Sequence, residues 1–318
     1  MSQQQTSSSS TPGGRLRELL ATGEVLVCPG VYDGLSTRLA IEAGFRCLYM
    51  TGAGVSMSRI GMADLGLATQ TEMVDTAGMI ASIDPSVPLI ADADTGYGTT
   101  ANVARTADRY ISAGVAGFHL EDQVVNKKCG HLEGKECVGL SEYLARIRAA
   151  AETRRRRGSD VVLIARTDAL ATHGLADALG RLRAAVKAGA DAVFLEAIST
   201  REQLEAYRDA FRNTGVFTLH NIVPGSRAYR ISPEEARQFG INILIHPGIC
   251  LMQAYIGFSK ALRSLKDGVE EKEEEPNEKC SQVQPGPHRL FQACGMDQIQ
   301  KFDRDISDWV QAFEEHDK

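Results

Sequence analysis

Short apolar and β-branched runs alternate along the chain with segments whose apolar residues recur at helical spacing. The runs lie at 25–30, 46–52, 87–94, 115–122, 161–168, 191–197, 215–221 and 241–248. Helical spacing covers 35–44, 71–83, 101–113, 141–153, 177–188 and 201–212. Strands that alternate with helices are typical of a parallel sheet, because parallel neighbours need a crossover connection. Eight repeats predict an α/β protein with a (β/α)8 barrel of the TIM type.

The two ends of the chain break this alternation. We predict a disordered tail at 1–14, a catalytic barrel at 15–265, an acidic linker or loop at 266–288 and a helical segment at 289–318. The last segment carries Phe302, Ile306, Trp309 and Phe313 at helical spacing. An apolar stripe beyond a long linker has to be covered, and a neighbouring subunit is a reasonable host.

The composition and charge of the chain indicate which kind of partner it binds. The chain has 318 residues and a formal charge of -6, and its isoelectric point is near 5.7. This balance argues against a nucleic-acid or anionic-membrane partner and favours a small molecule. Seven cysteines form no CxxC pair, and no apolar run is long enough to span a membrane. With no apolar signal in the opening residues, we expect a cytoplasmic protein whose cysteines are reduced.

The first candidate for chemistry is "ADADTGYG", at the end of the third predicted strand. Asp92 and Asp94 are two residues apart, so a strand directs both carboxylates to the same side. Gly96 and Gly98 allow the chain to turn directly afterwards. Paired carboxylates favour a hard cation such as Mg²⁺ between them. One helix-capping aspartate and one salt-bridged aspartate are the alternative.

Polar residues end the next five strands as well, and strand ends gather at the active-site face of such a barrel. Glu121 is the natural third carboxylate for a metal. Arg166 is either a clamp for a substrate carboxylate or the partner of a structural ion pair with Asp168. The remaining strand ends bear Glu196, His220 with Asn221, and His246.

The segment "NKKCGH" follows the fourth strand directly. Cys129 has Lys127, Lys128 and His131 as neighbours, and cationic neighbours lower the pKa of a thiol or help it to deliver a proton. Gly130 and Gly134 make 124–138 a candidate mobile lid. A buried structural cysteine is the alternative.

The motifs "DADTGYG", "HLEDQ", "KKCGH" and "IARTDA", in this order, resemble the isocitrate lyase and phosphoenolpyruvate mutase superfamily, and "KKCGHLEGK" resembles its lyase branch. The resemblance covers about residues 15–265. It implies a Mg²⁺ ion near Asp92, Asp94 and Glu121, with Mn²⁺ as a substitute. It implies Cys129 as the general acid, with Lys127, His131 and Arg166 as further catalytic residues. The implied substrate-binding residues are Tyr49, Thr51, Gly52, Ala53, Asp64, Arg166, Glu196 and Asn221. A homotetramer with exchanged C-terminal helices is also implied.

Two departures from the family pattern concern the substrate pocket. The family's Asn-x-x-Glu-Gly-Gly is "NIVPGS" here, with Pro224 and Ser226 at altered positions, and His246 stands where a tyrosine is common. The expected function is a Mg²⁺-dependent carbon–carbon lyase acting on a small 2-hydroxy di- or tricarboxylate of the 2,3-dimethylmalate or 2-methylisocitrate type. Oxaloacetate hydrolysis, a carboxyphosphonoenolpyruvate-type phosphonomutase and an inactive binding protein are the alternatives.

Overall fold

The computed structural model describes residues 11–130, 132–268 and 287–316. Its strands are β1 (Leu26–Val31), β2 (Leu48–Met50), β3 (Leu89–Asp92), β4 (Gly117–Glu121), β5 (Val162–Thr167), β6 (Ala192–Leu195), β7 (Phe217–Asn221) and β8 (Ile243–His246). They are parallel and form a closed barrel in chain order, in which β1 also pairs with β8. The predicted (β/α)8 barrel is confirmed, and each strand falls on its predicted run, with β1 extending one residue beyond it.

Helices connect the strands and follow the last of them. They are α1 (Pro12–Ala21), α2 (Gly34–Glu42), α3 (Gly52–Arg59), α4 (Gln70–Ile83), α5 (Thr100–Ser112), α6 (Leu140–Arg156), α7 (Leu170–His173), α8 (Leu175–Ala188), α9 (Arg201–Phe211), α10 (Pro233–Phe239), α11 (Ile249–Lys266), α12 (Pro287–Ala293) and α13 (Met296–His316). The six predicted helices correspond to α2, α4, α5, α6, α8 and α9. Among the described residues, no helix combines the length and the apolar character needed to cross a membrane.

Local sequence explains where several helices begin. Asp33 and Ser36 form a reciprocal capping box at the start of α2, and Thr69 and Glu72 do the same for α4. The strands show no alternation of apolar and polar residues because the barrel interior buries one face and the helices bury the other. Buried residues accordingly form two clusters, one inside the barrel and one between the strands and the helices.

Helix α1 starts within the predicted tail. Thr11 caps it by accepting a hydrogen bond from Gly14 N, and its Leu16 is fully buried with the residues inside the barrel. Residues 12–14 therefore belong to the folded chain, and residues 1–10 lie outside the described residues.

The chain divides into two compact units, Met1–Ala254 and Tyr255–Lys318, so the boundary lies inside α11. Residues 269–286 of the predicted acidic linker lie outside the described residues. In the second unit, α12 and α13 account for the predicted terminal helical segment.

Candidate active site

Polar side chains gather where the strands end, as the barrel predicts. Asp92, Glu121 and Asn221 are the last residues of β3, β4 and β7, while Arg166 lies near the end of β5 and Glu196 follows β6. All five are buried although each is polar or charged. Burying such groups is costly unless they are paired, so their contacts define the site.

Asp94 occupies a strained turn directly after β3. Its φ of 46° is in the left-handed region, and Gly96, Tyr97 and Gly98 also have positive φ. Few non-glycine residues adopt this conformation, and those that do are enriched in aspartate and asparagine and cluster at functional sites. The turn is fixed because Asp94 N donates to Asp92 Oδ1 over 2.8 Å, and Glu121 N donates to Asp94 O over 3.0 Å. Burial, opposed by Lys127, raises the pKa of Asp94 to about 7.

The Lys127 ammonium lies among the carboxylates of the site. Its Nζ is 2.6 Å from Asp94 Oδ1 and also bonds Asp64 Oδ1. Burial alone would lower the pKa of Lys127, but Asp94, Glu121 and Asp64 together raise it well above its ordinary value. The ammonium therefore stays charged and balances part of the negative charge.

The predicted partnership of Lys127 with the Cys129 thiol stays a prediction. Lys127 reaches Asp64 and Asp94, and His131 lies outside the described residues. Cys129 is partly buried on the same loop. The general-acid role of Cys129 stays a prediction.

Arg166 makes the structural ion pair and also faces the carboxylate cluster. Its Nε donates to Asp168 Oδ2 over 2.9 Å, and its Nη1 lies 3.2 Å from Glu121 Oε2. The guanidinium carbon lies 5.3 Å from the centre of the Phe194 ring. The structural ion pair is therefore present, and it holds the side chain in a fixed orientation, while the role of Arg166 as a substrate clamp stays a prediction.

The charged groups of the site carry an excess of negative charge that suits a divalent cation. Six buried carboxylates (Asp64, Asp92, Asp94, Glu121, Asp168 and Glu196) meet three buried cationic groups (Lys127, Lys135 and Arg166). Both Glu121 carboxylate oxygens are buried and accept no hydrogen bond from the described part of the chain. Burial, opposed by Arg166, raises the pKa of Glu121 well above its ordinary value. An added hard cation would relieve this excess of negative charge.

The side chains are nevertheless not arranged around a common metal position. Within the described residues, no group of three or more His, Cys, Asp or Glu side chains is placed to hold an ion. The physical reason is that Asp94 turns toward the Lys127 ammonium and Asp92 Oδ1 accepts from the backbone. The residues fit Mg²⁺ in donor chemistry and charge, and Asp92, Asp94 and Glu121 remain its predicted ligands.

The start of α3 supplies backbone donors beside the carboxylates. Thr51 caps this helix by accepting from Gly54 N over 3.3 Å, so the amides of Gly52 and Ala53 precede the first helical hydrogen bonds. Such amides favour an anion. A Cβ on Gly52 would lie 2.5 Å from Asp92 Oδ2, so glycine allows the helix to approach that carboxylate.

Gly52→Ala is expected to lower kcat/KM by about 10²-fold, because displacing a catalytic group by about 1 Å has an effect of that size. Asp92 has to move to accept the new methyl group. Steady-state kinetics would measure the loss, and Gly180→Ala is the matched control because a Cβ there meets no atom within 4 Å. A Gly52→Ala enzyme with wild-type kcat/KM would contradict the close packing of Gly52 against Asp92.

Two residues of the site, His119 and Lys135, were not predicted from the sequence. His119 Nε2 lies 2.9 Å from the Tyr49 hydroxyl and 3.7 Å from Asp92 Oδ1, so the predicted Tyr49 is held by a buried imidazole. Lys135 pairs with Asp168. The strand period gave a signal for His119, because it precedes Glu121 by two residues.

Glu196 and Asn221 contact each other as neighbours at the ends of β6 and β7. Asn221 Nδ2 donates to Glu196 Oε2 over 3.1 Å. A Cβ on Gly130 would lie 2.7 Å from Glu196 Cγ, so the loop that carries Cys129 packs against Glu196. The structure thus brings the predicted Glu196 and Asn221 together beneath the loop.

The altered positions after β7 lie beside the same loop. A cavity of about 860 Å³ has Gly130, Glu133 and Lys135 on one side and Gly225, Ser226 and Arg227 on another. Ser226 Oγ donates to Val223 O over 2.8 Å and so stabilises the turn. His246, at the end of β8, is partly exposed.

With this geometry established, comparisons with known proteins identify the family. A family profile described as phosphoenolpyruvate phosphomutase matches residues 16–266. The 2,3-dimethylmalate lyase of Eubacterium barkeri is 42% identical over 233 residues, which cover 73% of this chain and 78% of the relative. The 2-methylisocitrate lyase of Bacillus subtilis (strain 168) is 34% identical over 261 residues, covering 82% and 83%. The chain therefore belongs to the phosphoenolpyruvate mutase and isocitrate lyase superfamily, as its motifs predict.

Solved structures support the same assignment. An oxaloacetate acetylhydrolase in complex with 3,3-difluorooxalacetate superposes with a TM-score of 0.87 and 46% identity, covering 93% of this chain and 97% of that chain. A phosphonopyruvate hydrolase complexed with oxalate and Mg²⁺ superposes with a TM-score of 0.76 and 25% identity, covering 92% and 98%. Magnesium thus occurs in a structure of this fold.

Proposed function

We propose that the protein is a Mg²⁺-dependent carbon–carbon lyase that cleaves a small 2-hydroxy di- or tricarboxylate, of the 2,3-dimethylmalate or 2-methylisocitrate type, into a 2-oxo acid and a second carboxylic acid. The predicted class agrees with the names of the lyase relatives. The observation that carries the proposal is the buried cluster of Asp64, Asp92, Asp94 and Glu121, which lies beside Arg166 and below the loop that bears Cys129.

Binding would use the two fixed donor groups of the site. The amides at the start of α3 suit one substrate carboxylate, and Arg166 suits another, since a guanidinium binds a carboxylate through two parallel hydrogen bonds. Asp168 orients the arginine before any substrate arrives. Such preorganisation lowers the entropic cost of holding the substrate in a reactive geometry.

Cleavage then requires a base-assisted loss of the 2-hydroxyl proton and protonation of carbon. The bond between C2 and C3 breaks, C2 becomes the carbonyl carbon of the 2-oxo acid, and C3 keeps the electron pair. The Cys129 thiol would deliver a proton to C3. Mg²⁺ held by Asp92, Asp94 and Glu121 would supply Lewis-acid stabilisation of negative charge on oxygen, and Mn²⁺ would substitute for it.

The direct test is a lactate-dehydrogenase-coupled assay over a panel of malates, citrates and oxaloacetate. We expect release of a 2-oxo acid from a hydroxy acid of the panel when Mg²⁺ is present, and no release when EDTA removes the ion. No release from any hydroxy acid of the panel would contradict it and leave the oxaloacetate hydrolase, the phosphonomutase and the inactive binding protein as the alternatives.

Oxaloacetate acetylhydrolase is the second candidate, because a protein of that name is 46% identical in sequence and superposes closely. In that reaction water first adds to the C2 ketone, and this hydrated ketone takes the place of the alcohol. When the bond between C2 and C3 breaks, C2 becomes a carboxyl carbon of oxalate, and C3 keeps the electron pair and is protonated to give acetate. Chromatography of the oxaloacetate reaction would show this pair. A phosphonomutase would instead act on a carboxyphosphonoenolpyruvate-type substrate and leave the hydroxy acids of the panel intact.

We infer a cytoplasmic location, since the described cysteines are all free thiols.

The altered Pro224 and Ser226 and the neighbouring cavity support a pocket for the second acid that differs from those of the named lyases. The partner is a small carboxylate and not a nucleic acid or a membrane.

We expect a homotetramer with exchanged C-terminal helices. On α13, Phe302, Ile306, Trp309 and Phe313 are exposed at helical spacing, which is costly unless another surface covers them. Light scattering should show a tetramer that dissociates or aggregates when residues 289–318 are deleted. As a control, alanine at Lys301 and Asp305, an exposed pair on the same helix, should leave the tetramer intact. A monomeric full-length protein would contradict this assembly.

A further inference from the structure

Lys135 is a buried cation in the cysteine loop (residues 124–138), and the mechanism above does not use it. Its side chain is 2% exposed and pairs with Asp168, whose side chain is fully buried. Nζ donates to Gly130 O over 2.5 Å and to Asp168 Oδ1 over 2.9 Å. The ammonium thus connects the loop segment next to Cys129 with a residue beyond the end of β5.

Asp168 is the residue that orients Arg166. It accepts from Arg166 Nε at Oδ2 over 2.9 Å and from Arg166 Nη2 at Oδ1 over 3.2 Å. Its own backbone N–H donates to Asp122 Oδ1 over 2.9 Å, which fixes it to the scaffold. Oδ1 therefore binds Lys135 and Arg166 at once, so one carboxylate oxygen joins the loop to the arginine.

The loop backbone also lies directly on the arginine. A Cβ on Gly130 would be 2.7 Å from Arg166 Nη2, closer than two such atoms can approach. The position of Gly130 is set by the bond from Lys135 to its carbonyl oxygen. Arg166 is therefore hydrogen-bonded to Asp168 and also covered by the backbone at Gly130. Lys135 holds that part of the loop in place through its bonds to Gly130 O and Asp168.

The other lysines of the loop make different contacts. Lys127 reaches Asp64 and Asp94 in the carboxylate cluster. Lys128 donates to Gly134 O over 2.7 Å, a bond that stays within the loop on its exposed side. Lys128 is therefore a matched control, with the same side chain on the same loop and no contact to the arginine.

We propose that Lys135 is a positioning residue that fastens the cysteine loop to Asp168 and so fixes Arg166 and the Cys129 segment relative to each other. The assignment rests on the proposed function only in taking Arg166 as the group that binds a substrate carboxylate. Lys135 holds the loop in the substrate-free protein, so this part of the proposal can be measured whether or not the proposed reaction takes place.

The test compares Lys135→Met with wild type and with Lys128→Met. Endoproteinase Glu-C cuts after Glu133 and Glu136, both inside the loop. Without ligand, cleavage there should be about tenfold faster in Lys135→Met, since a bond to a charged group contributes about that factor, and within about twofold of wild type in Lys128→Met. With Mg²⁺ present, calorimetry should show about tenfold weaker oxalate binding in Lys135→Met only.

Lys135→Arg should recover both properties in part, because it restores the cation opposite Asp168. If Lys135→Met shows no cooperative melting, Lys135→Gln replaces it with the same expectations. Wild-type cleavage in the Lys135 variant, or equal cleavage in both lysine variants, would overturn the fastening role. Faster cleavage with unchanged oxalate binding would overturn the link to Arg166. The cleavage result does not depend on turnover, so it stands even if no panel substrate reacts.

Discussion

Replacing Asp94 with alanine or asparagine should abolish turnover and Mg²⁺ binding together. Asp94 is buried, pairs with Lys127 and is a predicted metal ligand. Loss of the ion removes several kcal/mol of charge stabilisation, so we expect turnover to fall by about 10³-fold or more. Calorimetric titration with Mg²⁺ measures the ion separately from turnover.

The two substitutions separate charge from backbone strain at this position. Alanine is disfavoured at a φ of 46°, whereas asparagine tolerates that conformation and keeps the shape of aspartate. If both variants lose Mg²⁺, the carboxylate charge is responsible. Glu133→Gln, at an exposed position on the cysteine loop, should bind Mg²⁺ normally. Unchanged Mg²⁺ binding in Asp94→Asn would remove this residue from the metal site.

Cys129→Ser should lower kcat by about 10²-fold while the fold and Mg²⁺ affinity stay intact, which is the usual scale for a lost general acid. A serine hydroxyl is a far weaker acid than a thiol. Cys137→Ser is the control on the same loop. Cys137 lies near Asp122 and Thr172, and burial raises the pKa of its thiol to about 12.

Thiol labelling adds a test of the same role that is independent of turnover. Iodoacetamide should modify Cys129 in wild type, and oxalate with Mg²⁺ should protect it. A Cys129→Ser enzyme with near wild-type kcat would show that another group donates the proton.

The barrel was predictable because each strand is a buried apolar run and each crossover has helical spacing. Helix α1 was not among the predicted helices, and its first residues, Pro12, Gly13 and Gly14, were assigned to a disordered tail from local composition. Its place is set by Leu16, which packs with residues inside the barrel and far away in sequence. The start of α1 is therefore determined by burial against residues distant in sequence and not by local helix propensity.

The polar residues at the strand ends were predictable for a different reason. Asp92, Glu121 and Asn221 end their strands, and a parallel barrel collects strand ends at one face. The contacts of Lys127 were not predictable, because a long flexible side chain on a loop reaches whatever anion the fold places within range. Sequence neighbours suggested Cys129, and the structure gives Asp64 and Asp94.

The central claim is that this site cleaves a carbon–carbon bond and protonates the carbon that leaves. The most direct measurement is product analysis by NMR after reaction in D₂O with the preferred hydroxy acid of the panel. We expect equal amounts of a 2-oxo acid and a second acid, with one solvent deuterium at the α-carbon of the second acid. Consumption of substrate without this equimolar pair, or a second acid without deuterium at that carbon, would contradict it.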